Sequence, residues 1–356
     1  MRIISRLGPN VLVYVLWIVG GLLGAVLRKG LFGVWFWLEW GFVGAICIVS
    51  GISLQENEGA IKYFIFQRLG SIIIFFSLIM VRCGGIISMW RGRVRGFLGV
   101  AIKLGIFPFH FWVPSVIGLI SWNSCFVVGW VQKVAPLWVI RYCKIPRSLH
   151  GVFEIRAFAT SAVGALGGIG VFSYRALVRY SSLVHTGWLI SVCIYNSSLL
   201  CIYLSVYGVV FLGSVVRFKK NNLQSFADHC NSLKETTSTI GREFRKLEIT
   251  VNLCSLSGMP PFLGSVVKLL RIYVLWYRSP ILCVVLTICS IISFYFYLRL
   301  IINCFTETGR NIAYFFGAGR RYSFNFTQHF NIFEIIIFVT QIWGGVFMLR
   351  ILGILT

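Results

Sequence analysis

The sequence predicts an all-α polytopic membrane protein of about 11 transmembrane helices, arranged as inverted five-helix repeats that each have a broken fourth helix. Three observations lead there. Apolar runs of about 20 residues, enough to cross a hydrocarbon core of about 30 Å, recur from end to end. Hydrophobic residues make up 58% of the 356-residue chain and charged residues only 12%, whereas a soluble domain is nearer half apolar and a quarter charged. Two of the runs are interrupted by Gly and Pro at corresponding places. A transmembrane β-barrel would instead show short alternating segments, and none are present.

Each span is bounded by charge, proline or a polar cluster. The first, 10–27, follows "MRIISRLGPN" and stops at Arg28-Lys29; that leader is short and reads as no cleavable signal. The second to fifth are 31–54, 59–81, 96–120 and 122–143, with Arg91, Arg93 and Arg95 ahead of the fourth. The sixth to eighth are 152–172, 175–195 and 197–216. Next comes the longest polar segment, 217–246, expected to face solvent or a partner and to hold at most a short amphipathic helix. The ninth and tenth are 247–276 and 280–304, and the eleventh, 331–354, follows a second extramembrane stretch. This divides the chain into 1–145, the first repeat; 146–305, the second repeat with its polar loop; and 306–356, an extramembrane segment and C-terminal helix.

A net charge of +23 could suggest nucleic acid as a partner, but the basic residues are scattered among apolar runs and gather where helices end, as at Arg320-Arg321. Lysine and arginine there snorkel to the interface. Lys and Arg numbers on the two faces are nearly equal, so they do not fix orientation. Eleven cysteines include no CxxC pair and no Cys/His cluster at zinc spacing, so neither a disulfide framework nor a metal site is expected. No Walker sequence and no GxGxxG after a strand is present, so no NADH or ATP site is expected.

The interruptions are "GIFPFH" in the fourth span and "SGMPPFLG" (257–264) in the ninth. Backbone freed at membrane depth is tolerated only where protein or a watery cavity satisfies it. The breaks are five helices apart, an odd number, so equivalent helices run in opposite directions. Paired interrupted helices point to a transport site, although Gly and Pro are also frequent in ordinary membrane helices.

Five ionisable residues share one depth. At a rise of 1.5 Å per residue, Glu39 lies about 15 Å from Lys29, Lys103 about 12 Å from Arg95, Lys133 about 16 Å from Trp122, His185 about 15 Å from Arg175 and Lys268 about 15 Å from Arg278. A charge at the centre of a lipid-facing helix costs about 2.5–3.5 kcal/mol, so these groups must face inward. The bland reading, snorkelling lysines and a buried histidine, explains one such residue better than five. Making and breaking a Glu39–Lys103 pair would switch how tightly Lys103 holds its proton, which could then pass to Lys133, His185 and Lys268. His110 either lines a polar pocket at the first break or satisfies backbone freed there. Arg68, Arg141, Arg271 and Arg299 read as boundary or interhelical residues, Glu154 and Glu334 as caps or interface groups, and His150, His229 and His329 as solvated loop residues.

Several stretches together carry a specific resemblance: "EGAIKYFIFQRLGS" (58–71), "KLGIFPFHFWVPSV" (103–116), "VQKVAPLWV" (131–139), "RALVRYSSLVHTGWLIS" (175–191), "LCSLSGMPPFLGSVVKL" (253–269) and "FYFYLRL" (294–300). The chain resembles the chain 2 family of mitochondrial NADH:ubiquinone oxidoreductase (respiratory complex I), a branch of the antiporter-like subunits that share an inverted five-helix repeat. The resemblance implies that Glu39 in "WLEWGF" is the family's membrane glutamate, Lys103 its paired lysine and Lys133 the central lysine. It likewise makes His185 the histidine near the axis and Lys268 the lysine beyond the second break. It further implies a multi-pass protein of the mitochondrial inner membrane that couples NADH-to-ubiquinone electron transfer to proton translocation, among other membrane-arm subunits and lipids such as cardiolipin. No cofactor is expected in this chain; NADH, FMN, iron-sulfur clusters and ubiquinone would belong to other parts of the complex. Alternatives are a subunit of a stand-alone cation/proton antiporter, or a structural subunit of complex I that no longer pumps. The chain departs from the pattern in its long 217–246 segment and its basicity, and its first span resembles the fourth of fourteen-helix bacterial relatives.

Overall fold

The computed structural model describes residues 9–28, 30–83, 86–143, 145–171, 173–195, 197–221, 239–260, 262–315, 336, 338–346 and 350. Helices dominate these residues, and five of the described helices are long and apolar enough to cross a membrane: Leu31–Val49, Leu54–Cys83, Tyr174–Tyr195, Ser198–Lys220 and Pro280–Ile302. The chain divides into two compact units, Met1–Ser161 with His185–Ser197, and Ala162–Val184 with Ser198–Thr356.

In the first unit, α1 (Pro9–Leu27) packs on α2 (Leu31–Val49) through glycine. A Cβ on Gly21 would stand 2.5 Å from the Gly41 Cα, so only glycine permits this approach. Because lipid is as apolar as leucine, close backbone contact rather than hydrophobic burial joins such helices. The outer side of α1 shows Leu12, Leu16 and Leu23, as a lipid-facing surface should. α3 (Leu54–Cys83) and α4 (Ile86–Leu104) use the same device. Gly92, Gly96 and Gly99 form one stripe on α4 at i, i+4 and i+7 spacing, and a Cβ on Gly99 would lie 2.7 Å from the Gly70 carbonyl oxygen.

α4 ends at Gly105, whose φ of +68° suits glycine. The Ile106 amide donates to the Ala101 carbonyl at 2.9 Å and the Gly105 amide to the Ile102 carbonyl at 3.1 Å, the paired bonds of a Schellman cap. The chain passes through a cis Phe107–Pro108 peptide into α5 (Trp112–Ile117) and α6 (Trp122–Phe126). A π-helical stretch, Val127–Val131, then leads into α7 (Gln132–Cys143), which contains Pro136. α8 (Arg147–Gly168) and α9 (Tyr174–Tyr195) contribute residues to both units.

The second unit takes in α10 (Ser197–Lys220), α11 (Thr239–Ser257), α12 (Leu263–Arg278) and α13 (Pro280–Phe315). α11 ends as α4 does. Gly258 has φ +71°, the Met259 amide donates to the Cys254 carbonyl at 3.0 Å, and the Gly258 amide donates to that of Ser255 at 3.1 Å. The next bond also repeats, Phe109 to Ile106 at 2.7 Å and Phe262 to Met259 at 3.0 Å. The chain thus leaves both helices through the same three backbone bonds, at "GIFPF" (105–109) and at "GMPPF" (258–262), and both interrupted spans are helix breaks.

Some boundaries differ from expectation. The fourth span starts at Ile86, because the arginines at 91, 93 and 95 are good helix formers and extend α4. α10 runs on to Lys220 and α11 begins at Thr239, so both ends of the polar 217–246 segment are helical. His150, read as a solvated loop residue, is half-buried in α8 with Nε2 3.1 Å from the Ile145 carbonyl oxygen. His229, His329 and Glu334 lie outside the described residues, as does most of 305–330 beyond Phe315.

Candidate functional site

The first unit encloses a carboxylate ringed by donors. Glu39 projects from α2, and its Oε1 accepts from Lys103 Nζ of α4 at 2.9 Å and from the Ser71 hydroxyl of α3. Its Oε2 accepts from Arg68 Nη1 at 3.0 Å. The lysine side chain is 3% exposed and the glutamate 13%, whereas Arg68 is 43% exposed, so the Lys103 pair is the desolvated one. Removing water raises both the attraction between the charges and the cost of holding either alone.

Secondary structure sets this arrangement. Lys103 is the penultimate residue of α4, next to the break. Its carbonyl, freed by the helix end, accepts from Gln67 Nε2 at 3.1 Å, and that of Ile102 accepts from Trp112 Nε1 at 3.0 Å. Gly70 lets the lysine stem pass, since a Cβ there would sit 2.8 Å from Lys103 Cγ. Gln67, Arg68 and Ser71 occupy i, i+1 and i+4 on α3, and the Ser71 hydroxyl lies 2.9 Å from the Gln67 carbonyl, so its one proton is shared between that oxygen and Glu39. Arg68 lies over the Phe42 and Phe64 rings, 5.1 and 5.4 Å from their centroids.

Lys133 is 5% exposed on α7. It follows the π-helical stretch, where the Gln132 amide bonds back to the Val127 carbonyl, and stands one turn before Pro136, which has no amide to give the Gln132 carbonyl. Single-turn π segments frequently mark functional sites. Gln132 Nε2 reaches the Gly41 carbonyl at 3.1 Å, which ties this segment to α2. His185 is half-buried on α9 in the first unit. His110, beyond the first break, stacks on Phe107 with centroids 5.6 Å apart, and its Nδ1 is buried with no hydrogen-bond partner among the described residues. It therefore does not satisfy freed backbone through Nδ1.

Lys268 belongs to the second unit. Its Nζ donates to the carbonyl of Ser257, the last residue of α11, and its stem lies over Gly258. A cation at a helix C-terminus is favourably placed. One turn further along α12, Arg271, 1% exposed, donates from Nη1 to the Tyr203 hydroxyl at 2.7 Å and lies over that ring.

Sequence reading missed three of these participants. Gln67 and Ser71 carry no charge to stand out, and Arg68 was read only as an interhelical or boundary residue. Also missed was the buried pair of Arg217 on α10 and Glu248 on α11, because Arg217 opens the segment read as a loop. Glu154, read as a cap or interface group, accepts from the Tyr195 hydroxyl. Among the described residues no three His, Cys, Asp or Glu side chains gather as a metal site.

The described residues thus combine two interrupted helices with a buried acid–base pair beside the first break. The profile of the family described as "NADH:quinone oxidoreductase/Mrp antiporter, TM" matches residues 29–293, and the chain belongs to that family. It is 31% identical over 258 residues to NADH-ubiquinone oxidoreductase chain 2 of Lumbricus terrestris, covering 70% of this chain and 72% of that one. It is 30% identical over 301 residues to the chain of the same name from Anopheles gambiae, covering 82% and 85%. In fold it is similar to a chain of respiratory complex I from Thermus thermophilus, with a TM-score of 0.76 at 18% identity over 96% of this chain and 77% of that one. A chain of the Mrp complex from Dietzia sp. gives 0.69 at 17% identity, over 80% and 59%.

Proposed function

We propose that this chain is a proton-translocating membrane-arm subunit of respiratory complex I, in which NADH-to-ubiquinone electron transfer drives protons across the mitochondrial inner membrane. The Glu39–Lys103 pair carries the reading. A buried ion pair is at best near break-even for stability against apolar residues of the same shape, so its placement at a helix break is better accounted for by function. While Glu39 faces Lys103 the ammonium is compensated; when the carboxylate is protonated or turns to Arg68, Lys103 is left a desolvated cation and gives up its proton. Lys133 is the next acceptor, and His185 and Lys268 continue the row, with His110 lining the polar region at the first break.

The architecture proposed for this function is eleven spans in two inverted repeats, 1–145 and 146–305, followed by 306–356; the Gly-ended helix before each Pro–Phe break supports it. The chain holds no redox centre of its own in this reading: NADH, FMN, iron-sulfur clusters and ubiquinone are bound elsewhere in the complex. Its partners are the other membrane-arm subunits and lipids such as cardiolipin, with no nucleic acid. The family's shared name with Mrp antiporters favours a second reading, a subunit of a stand-alone cation/proton antiporter, and isolation free of redox partners would support it. In vesicles containing the intact complex, Lys133→Ala should lower the number of protons moved per electron while the complex still assembles. Unchanged proton movement in that variant would sink the proposal.

A further inference from the structure

A cavity of about 250 Å³ lies in the first unit among α2, α3, α4 and α7, and the acid–base row does not use it. Its wall runs from Leu31 to Leu38 on α2, from Ile74 to Val81 on α3 and from Arg93 to Val100 on α4. Each of these stretches rises roughly 10 Å. One end lies where the helices meet the membrane boundary, with Arg93 and Tyr142 both exposed. The other end is closed by Leu38, Ile74 and Val100, all buried, and stops one turn short of Lys103.

Little in this cavity would hold water. The polar side chains along its inner wall are already spent: Trp35 Nε1 donates to the Ser71 carbonyl at 3.2 Å, and the Ser77 hydroxyl donates to that of Ile74 at 2.6 Å. A buried water needs two to four polar partners, and an apolar cavity of about 150 Å³ stays dry and takes up a small hydrocarbon instead. The space here is larger than that but below the roughly 300 Å³ at which sites for drug-sized ligands begin. It fits one hydrocarbon chain rather than the paired chains of a phospholipid. The mouth carries one charge. Arg93 shares a face of α4 with Gly96, Phe97 and Val100, at i, i+3, i+4 and i+7, and takes part in none of the ion pairs among the described residues. Arg91 and Arg95, also exposed, do not line the cavity. A guanidinium grips a carboxylate through two parallel bonds.

We propose that this cavity binds a medium-chain fatty acid, with the carboxylate on Arg93 at the membrane boundary and the chain running inward among α2, α3, α4 and α7. One cation at the mouth matches one carboxylate, and one narrow apolar space matches one chain. The far end of the chain comes to rest beside Ile74 and Val100, one turn from the Glu39–Lys103 pair, and keeps water from the pair on that side. No bond is made or broken in the ligand.

The probe is decanoic acid carrying a diazirine at the far end of its chain, photo-activated on the intact complex, with labelled residues located by mass spectrometry. The site predicts labelling of α3 around Ile74 and of α4 around Val100. Plain decanoate should displace the probe at a concentration about tenfold lower than decanol requires, because the alcohol forgoes the charge-assisted bonds to Arg93. Arg93→Gln should erase that difference and Arg95→Gln should keep it, while Val139→Phe, which fills the cavity, should abolish the labelling. Equal displacement by decanoate and decanol would overturn the site, leaving only a space into which any apolar chain partitions. Stronger displacement by dioctanoyl phosphatidylglycerol would overturn it in favour of a phospholipid. Labelling confined to other parts of the chain, or labelling that survives Val139→Phe, would overturn it as well. Should Val139→Phe not assemble, the contrast between Arg93→Gln and Arg95→Gln decides.

Discussion

A carboxylate that accepts from two cations, Lys103 and Arg68, as well as from the Ser71 hydroxyl has one positive partner more than it needs. In the proposed function, that surplus would let Glu39 exchange one cation for another without standing unpaired. Replacing it by alanine leaves Lys103 buried without its counter-charge, a loss of about 3–5 kcal/mol for a buried pair broken on one side. Glu39→Ala should therefore lower the thermal stability of the assembled complex more than Arg68→Ala, whose side chain is 43% exposed and screened by water. Gly70→Ala should act on the same site indirectly. Its Cβ would meet Lys103 Cγ at 2.8 Å and the Gly99 carbonyl at 3.0 Å, an overpacking cost of about 1–3 kcal/mol, read as a lower unfolding temperature. Glu39 and Lys103 are legible in sequence because a charge inside an apolar run has no cheap explanation. Gln67 and Ser71 are not, since which face of α3 meets α4 depends on how closely Gly70 and Gly99 let the helices approach.

The two Gly-ended helices show what a repeated motif needs. Both glycines have positive φ, at +68° and +71°, where any side chain costs about 1–2 kcal/mol. Gly258→Ala should be worse than that strain alone, because its Cβ would stand 2.6 Å from Lys268 Cδ and dislodge the amine from the α11 terminus. A ratio of protons to electrons that falls along with stability would distinguish it from a purely backbone defect. Gly and Pro made both breaks legible from sequence, since few other residues end a helix so sharply. The extents of α4, α10 and α11 were less legible. Arginine reads alike whether it anchors a helix end in water or continues a helix, and Arg217 looked solvated for that reason. Its partner is 31 positions away at Glu248, across residues read as loop, so only folding reveals the pair. Glu248→Leu alone should impair assembly, and Arg217→Leu with Glu248→Leu should restore much of it, as seen by native electrophoresis; an additive loss in the double variant would show that the charges do not interact.

Over the whole chain, composition decided the class. With 58% hydrophobic residues and a net charge of +23, the molecule has apolar helix faces for lipid and basic residues for the membrane boundaries. The outward leucines of α1 and the exposed Phe36, Ile61, Phe76 and Ile288 fit a surface meant for acyl chains or neighbouring subunits. Counting residues along a span gives depth, because a helix rises evenly, but gives nothing about which side chains meet. That is why a set of ionisable residues and the single Glu39–Lys103 pair could be proposed from sequence, while the bonds from Arg68, Ser71 and Gln67 could not. The account turns on the buried pair at the first break, and the ratio of protons moved to electrons transferred by the intact complex in vesicles tests it. Glu39→Gln keeps the shape of the side chain and removes its charge, and the ratio should fall below that of the parent. A parental ratio in Glu39→Gln, with the complex fully assembled, would contradict the account.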